Sequence, residues 1–325
     1  MNKKRLIQSA LLMIAMAVLA LFPLVIKKDS TITLVIFILL YITIASSWNI
    51  LGGYTGQTNL GHAAFFGIGS LTTRLLWIDG FPFFPSLLAG GIIAVALALL
   101  IGIPAFKLRG VYFAIGTLAL AQILNITVGN ILPEMSYNPA LANYQLVPRY
   151  YLFLGLAIVT IGAAYLLINS KWGLGMMAVR EGEDAAESLG ISALRHKLLA
   201  LSASAFFAGL AGGAFAYYHV SYYLNMPFGP EWTFDPMMMA YIGGTGTIIG
   251  PIIGSVFFVG LKQLLVWNVG EYHLIIFGVL FILIVLFLPG GIVEVWQKTR
   301  KMLTHMSMFP ANRLSPEHKS LHIRQ

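Results

Sequence analysis

The feature that most constrains this chain is the recurrence of apolar runs about as long as a bilayer's hydrocarbon core is thick. A helix rises about 1.5 Å per residue, so roughly 20 apolar residues cross some 30 Å of hydrocarbon. Clear runs lie at 6–26, 31–51, 83–106, 111–132, 151–168, 198–220 and 272–288. Two more are interrupted: 60–77 follows a glycine cluster, and 235–267 is too long for one crossing and is broken by Gly243, Gly244, Gly246, Gly250 and Pro251. Only 10% of the residues are charged, against about 25% in soluble domains. Such a chain cannot cover its own surface with polar groups, and a second apolar phase must receive what is left. The expected fold is an all-α, polytopic transmembrane helical bundle of about ten spans with broken helices. Residues 1–297 form the membrane domain, and 298–325 read as a basic, disordered cytoplasmic tail.

The first run follows Lys3, Lys4 and Arg5 as a secretory signal would. It is longer than the usual apolar core of about 7 to 15 residues and ends at Lys27 and Lys28 rather than at small residues, so it reads as a retained span. Basic residues set the orientation. With the N-terminus inside and 235–267 crossing twice, the cytoplasm holds Lys3, Lys4, Arg5, Lys107, Arg109, Lys171, Arg180, Arg195, Lys197 and the six basic residues from Lys298 onward, leaving Lys27, Lys28 and Arg149 outside. Both termini are then cytoplasmic. Arg74 and Lys262 lie inside apolar runs near their ends and are expected to snorkel. The net charge of +8 forms no basic stripe on a soluble module, which argues against nucleic acid as a partner. The absence of cysteine removes disulfides, thiolate metal sites and thiol nucleophiles together.

The longest expected cytoplasmic connection, 170–197, reads SKWGLGMMAVREGEDAAESLGISALRHK and holds eight of the chain's 32 charged residues. Ala178, Ala185, Ala186 and Leu189 favour helix, Gly190 is a stop and Ser192 a new cap. The segment reads as two short helices with a sharp turn. A mere joint needs about four residues, so a structured amphipathic hairpin suggests a docking surface for another protein; the competing reading is a helix lying at the lipid headgroups.

Between two apolar runs, four glycines from Gly52 to Gly61 stand with Gln57, Thr58 and Asn59. Irregular backbone survives at membrane depth only when buried in protein or lining a wet cavity. The cluster from Gly243 to Gly254 looks similar, GGYTGQTNLG against GGTGTIIG, which suggests an internal repeat with broken helices around a translocation path. The competing reading is that these glycines only permit close helix packing, as expected for 209–213. The other pathway candidates are Asn49 and His62 beside the first break, and Thr117, Gln122 and Asn125 at helical spacings in the run after Arg109. For Gln122 and Asn125, interhelical hydrogen bonding and cavity lining stand equal, whereas His62 reads first as a structural histidine.

The residues Gly173, Gly175, Arg180, Glu181, Ala185, Ala186, Glu187, Gly190 and Ile191 resemble the coupling-helix motif of ABC importer permeases. Four stretches, 49–70, 108–123, the hairpin continuing into KLLALSASAFFAGLAGG, and 234–255, resemble the branched-chain amino-acid permease family in its M-type (LivM-like) branch. The resemblance covers roughly 30–292, and the chain departs from the family pattern at Pro236 and in a short loop after Leu132. It implies a type II ABC importer permease of the cell inner membrane that moves branched-chain amino acids. The implied partners are an H-type second permease, two ATP-binding subunits carrying ATP-Mg, and a periplasmic or lipid-anchored solute-binding protein. Permeases for urea and short amides look similar. No GK dipeptide, H-E-x-x-H or G-x-S-x-G occurs, so no phosphate-cradling loop, zinc helix or nucleophile elbow is expected, and neither is an enzyme. Asp79, Glu134, Glu231, Asp235 and Glu271 all fall at expected span ends, which counts against a proton- or sodium-driven transporter; the alternative to the importer is a secondary transporter or channel with Gly56 to Asn59 as its filter or gate.

Overall fold

The computed structural model describes residues 16–137 and 144–269, together with positions 275–276, 278–279, 282–283, 286, 290–296 and 298–299. Most of the expected run at 272–288, the first part of the run at 6–26 and nearly all of the tail lie outside the described residues. The chain forms α1 (Met16–Val25), α2 (Asp29–Gly52), α3 (His62–Ile78), α4 (Phe83–Ala105), α5 (Val111–Ile131), α6 (Leu146–Ile168), α7 (Lys171–Glu181), α8 (Glu183–Ser188), α9 (Ala193–Tyr218), α10 (Glu231–Gly243) and α11 (Ile249–Val269). Among the described residues six helices are long and apolar enough to cross a membrane: α2, α4, α5, α6, α9 and α11. Two short strands not anticipated from the sequence, β1 (Met135–Tyr137) and β2 (Ser221–Tyr223), pair antiparallel with Ser136 opposite Tyr222.

Helix α9 is the axis of the bundle and packs against α2, α3 and α4. Small residues let the backbones approach: a Cβ on Gly69 of α3 would strike the Gly209 backbone, and one on Gly212 would strike the Phe66 carbonyl. That is the packing the sequence led one to expect of 209–213. Where α10 begins, the bundle is filled by aromatic rings. Trp232 stacks on Phe66 at 4.3 Å between centroids and meets Phe215 at 4.9 Å. By contrast α4, α5 and α6 turn large apolar side chains outward, among them Leu100, Ile126 and Leu166. These suit lipid or a second apolar surface.

One boundary and one side chain depart from expectation. Helix α6 starts at Leu146 rather than 151, because Pro148 falls in its first turn, where the missing N–H has no helical acceptor. Arg74 does not snorkel: it is fully buried, donating from Nη1 to the carbonyls of Ala216 (3.1 Å) and His219 (3.1 Å), and from Nη2 to those of Ser136 (3.1 Å) and Val220 (2.6 Å). The C-terminal end of α9 has carbonyls with no helical donor, and Arg74 supplies one. Arg149 does the same nearby, donating from Nε to the Tyr217 carbonyl at 3.1 Å with its guanidinium over the Tyr144 ring.

Candidate functional site

The two glycine-rich breaks face one another. Helix α2 ends at Gly52, and α10 ends at Gly243. Asn49, in the last turn of α2, is buried; its Oδ1 accepts from Gly246 N at 2.9 Å, and its Nδ2 donates to the Thr247 carbonyl at 2.9 Å. One amide side chain thus replaces two backbone partners that the unwound segment has lost. Gly246 has φ +74°, left-handed backbone that a side chain disfavours. Thr247 Oγ1 donates to the Gly244 carbonyl (2.8 Å) and accepts from Gly250 N (3.0 Å), closing the turn into α11.

The first break is held in the same manner. Trp48 Nε1 donates to the Asn59 carbonyl at 2.9 Å, Asn59 Oδ1 accepts from Gly61 N at 2.8 Å, and Leu60 N donates to Thr117 Oγ1 at 3.1 Å. Thr233 Oγ1 accepts from Ala63 N at 2.8 Å, which ties the start of α3 to α10. His62 is fully enclosed with Nε2 3.0 Å from Ser47 Oγ. Gln57 and Thr58 are half-buried, and Gln57 Nε2 lies 3.5 Å from the Thr55 carbonyl.

The hairpin 170–197 rests directly on these breaks. Ser170 caps α7, with Oγ accepting from Gly173 N at 3.4 Å, and Gly173 and Gly175 are buried where a side chain would strike Ile168 and His196. Gly182 separates α7 from α8, and Gly190 turns the chain at φ +82° into α9. A small core of Val179, Ala186 and Ala193 holds the three helices together. Lys197 of α9, 2% exposed in its side chain, pairs with Glu183 of α8 at 2.6 Å. The outer surface shows Glu181, Ala185, Glu187 and Gly190, with Leu189 81% exposed. Arg180 reaches inward: Nη1 donates to the Gly53 carbonyl at 2.7 Å, and a Cβ on Gly246 would strike its guanidinium. One side chain of the hairpin therefore touches both breaks.

The structure brings Asn49, Asn59, His62, Thr117, Gly243, Gly244 and Gly246 into one region with Arg180. Gln122 and Asn125 stay outside it, half-exposed on α5, and neither finds a hydrogen-bond partner among the described residues. Gly243 lies against the Gly250 carbonyl, so here close packing and backbone unwinding coincide. One expectation is overturned. Asp235 is not at a span end: its Oδ2 accepts from the Tyr41 hydroxyl at 3.2 Å, and Tyr41 is the thirteenth of the 24 residues of α2. The reason is that α10 starts at Glu231 after a non-helical lead through β2 and a 3-10 turn at Met226–Phe228, which carries the chain inward first. Glu271 lies outside the described residues. Among the described residues no group of three or more His, Asp or Glu gathers as metal ligands.

Comparison with known proteins finds a family model, "Branched-chain amino acid transport system / permease component", that matches residues 30–285. The high-affinity branched-chain amino acid transport system permease protein LivM of Salmonella typhimurium is 27% identical over 92% of this chain and 77% of its own length. Its Escherichia coli counterpart is 26% identical over the same shares. The probable branched-chain amino acid transport permease protein LivM of Methanocaldococcus jannaschii is 24% identical over 78% of this chain and 90% of its own length. No solved structure matches the chain significantly.

Proposed function

This chain belongs to the branched-chain amino acid transport permease component family, and from that premise we propose how its geometry moves a solute. It is a multi-pass membrane protein and the permease subunit of an ABC importer, a transport subunit that works with partner subunits. The solute we assign to it is leucine, isoleucine or valine, on the names its relatives carry. The partners we assign are an H-type permease, two ATP-binding subunits that hold ATP-Mg, and an external solute-binding protein. We read about ten crossings with both ends cytoplasmic, and we take the two breaks as corresponding points of an internal repeat.

The observation that carries the mechanism is the Arg180 contact with Gly53 and Gly246. When ATP draws the ATP-binding subunits together, the exposed face of the hairpin, with Glu187 and Gly190, moves with them. The Glu183–Lys197 pair and the Val179 core pass that movement to α9, a helix of 26 residues, roughly 39 Å long. Arg180 passes it to both breaks, whose unwound backbone can change without rupturing a helix. Gln122 and Asn125, half-exposed on α5, line the path or bond a neighbouring helix. The path itself binds solute weakly, because a permease that held it tightly in one state would trap it. Replacing Glu187 with Lys or Gly190 with Arg should abolish uptake and ATPase association while the protein remains in the membrane. Unchanged uptake in both variants would refute the coupling role of the hairpin.

A further inference from the structure

Away from the breaks, helices α2 and α11 part to leave an open groove of about 510 Å³. Its α2 wall carries Ser30, Thr33, Phe37 and Tyr41, and its α11 wall Lys262 and Gln263. Ser30 to Tyr41 is eleven residues (41 − 30), roughly 16 Å of helix, so the groove runs from the first turn of α2 to its middle. Behind its inner end the Asp235 carboxylate of α10, its side chain 15% exposed, meets the lining groups Tyr41 OH and Lys262 Nζ, each 3.2 Å from the same oxygen, Oδ2. Among the described residues Oδ1 accepts no hydrogen bond.

A purely structural ion pair in an apolar protein is best enclosed and closely paired, because each ion loses its water and only its partner compensates. The hairpin pair has that form, at 2.6 Å with Lys197 almost wholly covered. The Asp235–Lys262 pair is longer, and 37% of the Lys262 side chain is open to the groove. Charges halfway along a membrane-spanning helix are costly and mark substrate or ion paths. Asp235 and Lys262 together present one negative and one positive group, side by side, at the end of a passage whose entrance is lined by Lys28, Ser30 and Thr31.

We propose that the Asp235–Lys262 pair is a subsite for a zwitterionic α-amino acid, with Asp235 receiving the α-ammonium, Lys262 the α-carboxylate, and Phe37 and Val259 flanking an aliphatic side chain. The proposal rests on the permease reading and narrows its solute. A free amino acid carries both charges on one carbon, so it exchanges with the protein's pair and leaves neither ion uncompensated. Urea or a neutral amide offers no charge to either group and cannot separate them.

The absence of cysteine from this chain makes Thr33→Cys its single label site on the groove wall, read on this chain after it is separated from its partners. The complete importer carrying Thr33→Cys is reconstituted in liposomes, and the rate of reaction with a membrane-impermeant thiol reagent is measured with L-leucine, with urea and with neither. Saturating L-leucine is expected to slow labelling several-fold and urea to leave it unchanged. Asp235→Asn and Lys262→Gln should each remove the protection and lower leucine uptake about tenfold or more, whereas Asp235→Glu retains protection. Equal rates with and without leucine in the protein with the native pair, equal protection by urea, or protection retained in both neutral variants would overturn the subsite. The measurement with the native pair decides the matter even where a variant fails to fold. Leucine uptake without protection overturns the subsite alone; absence of both overturns the branched-chain assignment with it.

Discussion

Arg74 is a buried cation held entirely by neutral oxygens. Its guanidinium spans the carbonyls of Ala216, His219, Val220 and Ser136 and the Ser136 hydroxyl, and the negative end of the α9 dipole favours its charge. Arg74→Met would leave these carbonyls without a donor, each worth about 1–3 kcal/mol when buried. The expected result is a loss of about 3 kcal/mol or more in thermal unfolding of the detergent-purified protein. Arg74→Lys should recover only part of it, since an ammonium lacks the planar fork. The role of Arg74 could not be read from the sequence. An arginine three residues from the end of an apolar run invites a snorkelling assignment, and its partners are backbone carbonyls 62 to 146 residues away, which leave no mark in the residue types. Asn49 was legible because an amide in lipid needs a partner, although the partner itself, the backbone of the second break, was not.

The hairpin α7–α8 was the most legible element. Its turn at Gly190 and the start of α9 after Ser192 match the sequence expectation, but Ser192 makes no side-chain cap, and the division at Gly182 was not foreseen. Gly182 sits at φ 175°, extended backbone open to any residue, so its identity announced nothing. Two ion pairs on this element separate burial from proximity. Glu183→Gln leaves the Lys197 ammonium buried and unpaired, which costs about 3–5 kcal/mol. Asp184→Asn removes only the exposed Arg109–Asp184 pair, 68% and 81% accessible at 3.4 Å, and is expected to change stability by less than about 1 kcal/mol. Hydrogen exchange across 183–190 should rise sharply in the first variant and hardly at all in the second. The limits of α10 were misread for a local reason: hydropathy marks where apolar residues begin, whereas this helix enters the bundle behind a strand and a 3-10 turn.

For the whole molecule, length and hydropathy sufficed where a helix is continuous and failed where it is not. Helices α3 and α10 have 17 and 13 residues, too short to register as crossings by length, and the glycine clusters were the signal that the apolar runs at 60–77 and 235–267 are interrupted. The sequence offered a likeness between those clusters; the structure sets them in contact, about 200 residues apart in the chain, with Asn49 between them and Arg180 above them. The central claim is that the hairpin drives both breaks through Arg180. Spin labels on Gln57→Cys and Thr245→Cys in the assembled importer read the distance across the breaks with and without ATP. The account predicts a distance change on ATP binding that disappears in Arg180→Ala while the ATP-binding subunits stay attached. An unchanged distance in the protein with native Arg180, or the same change in the alanine variant, would contradict it.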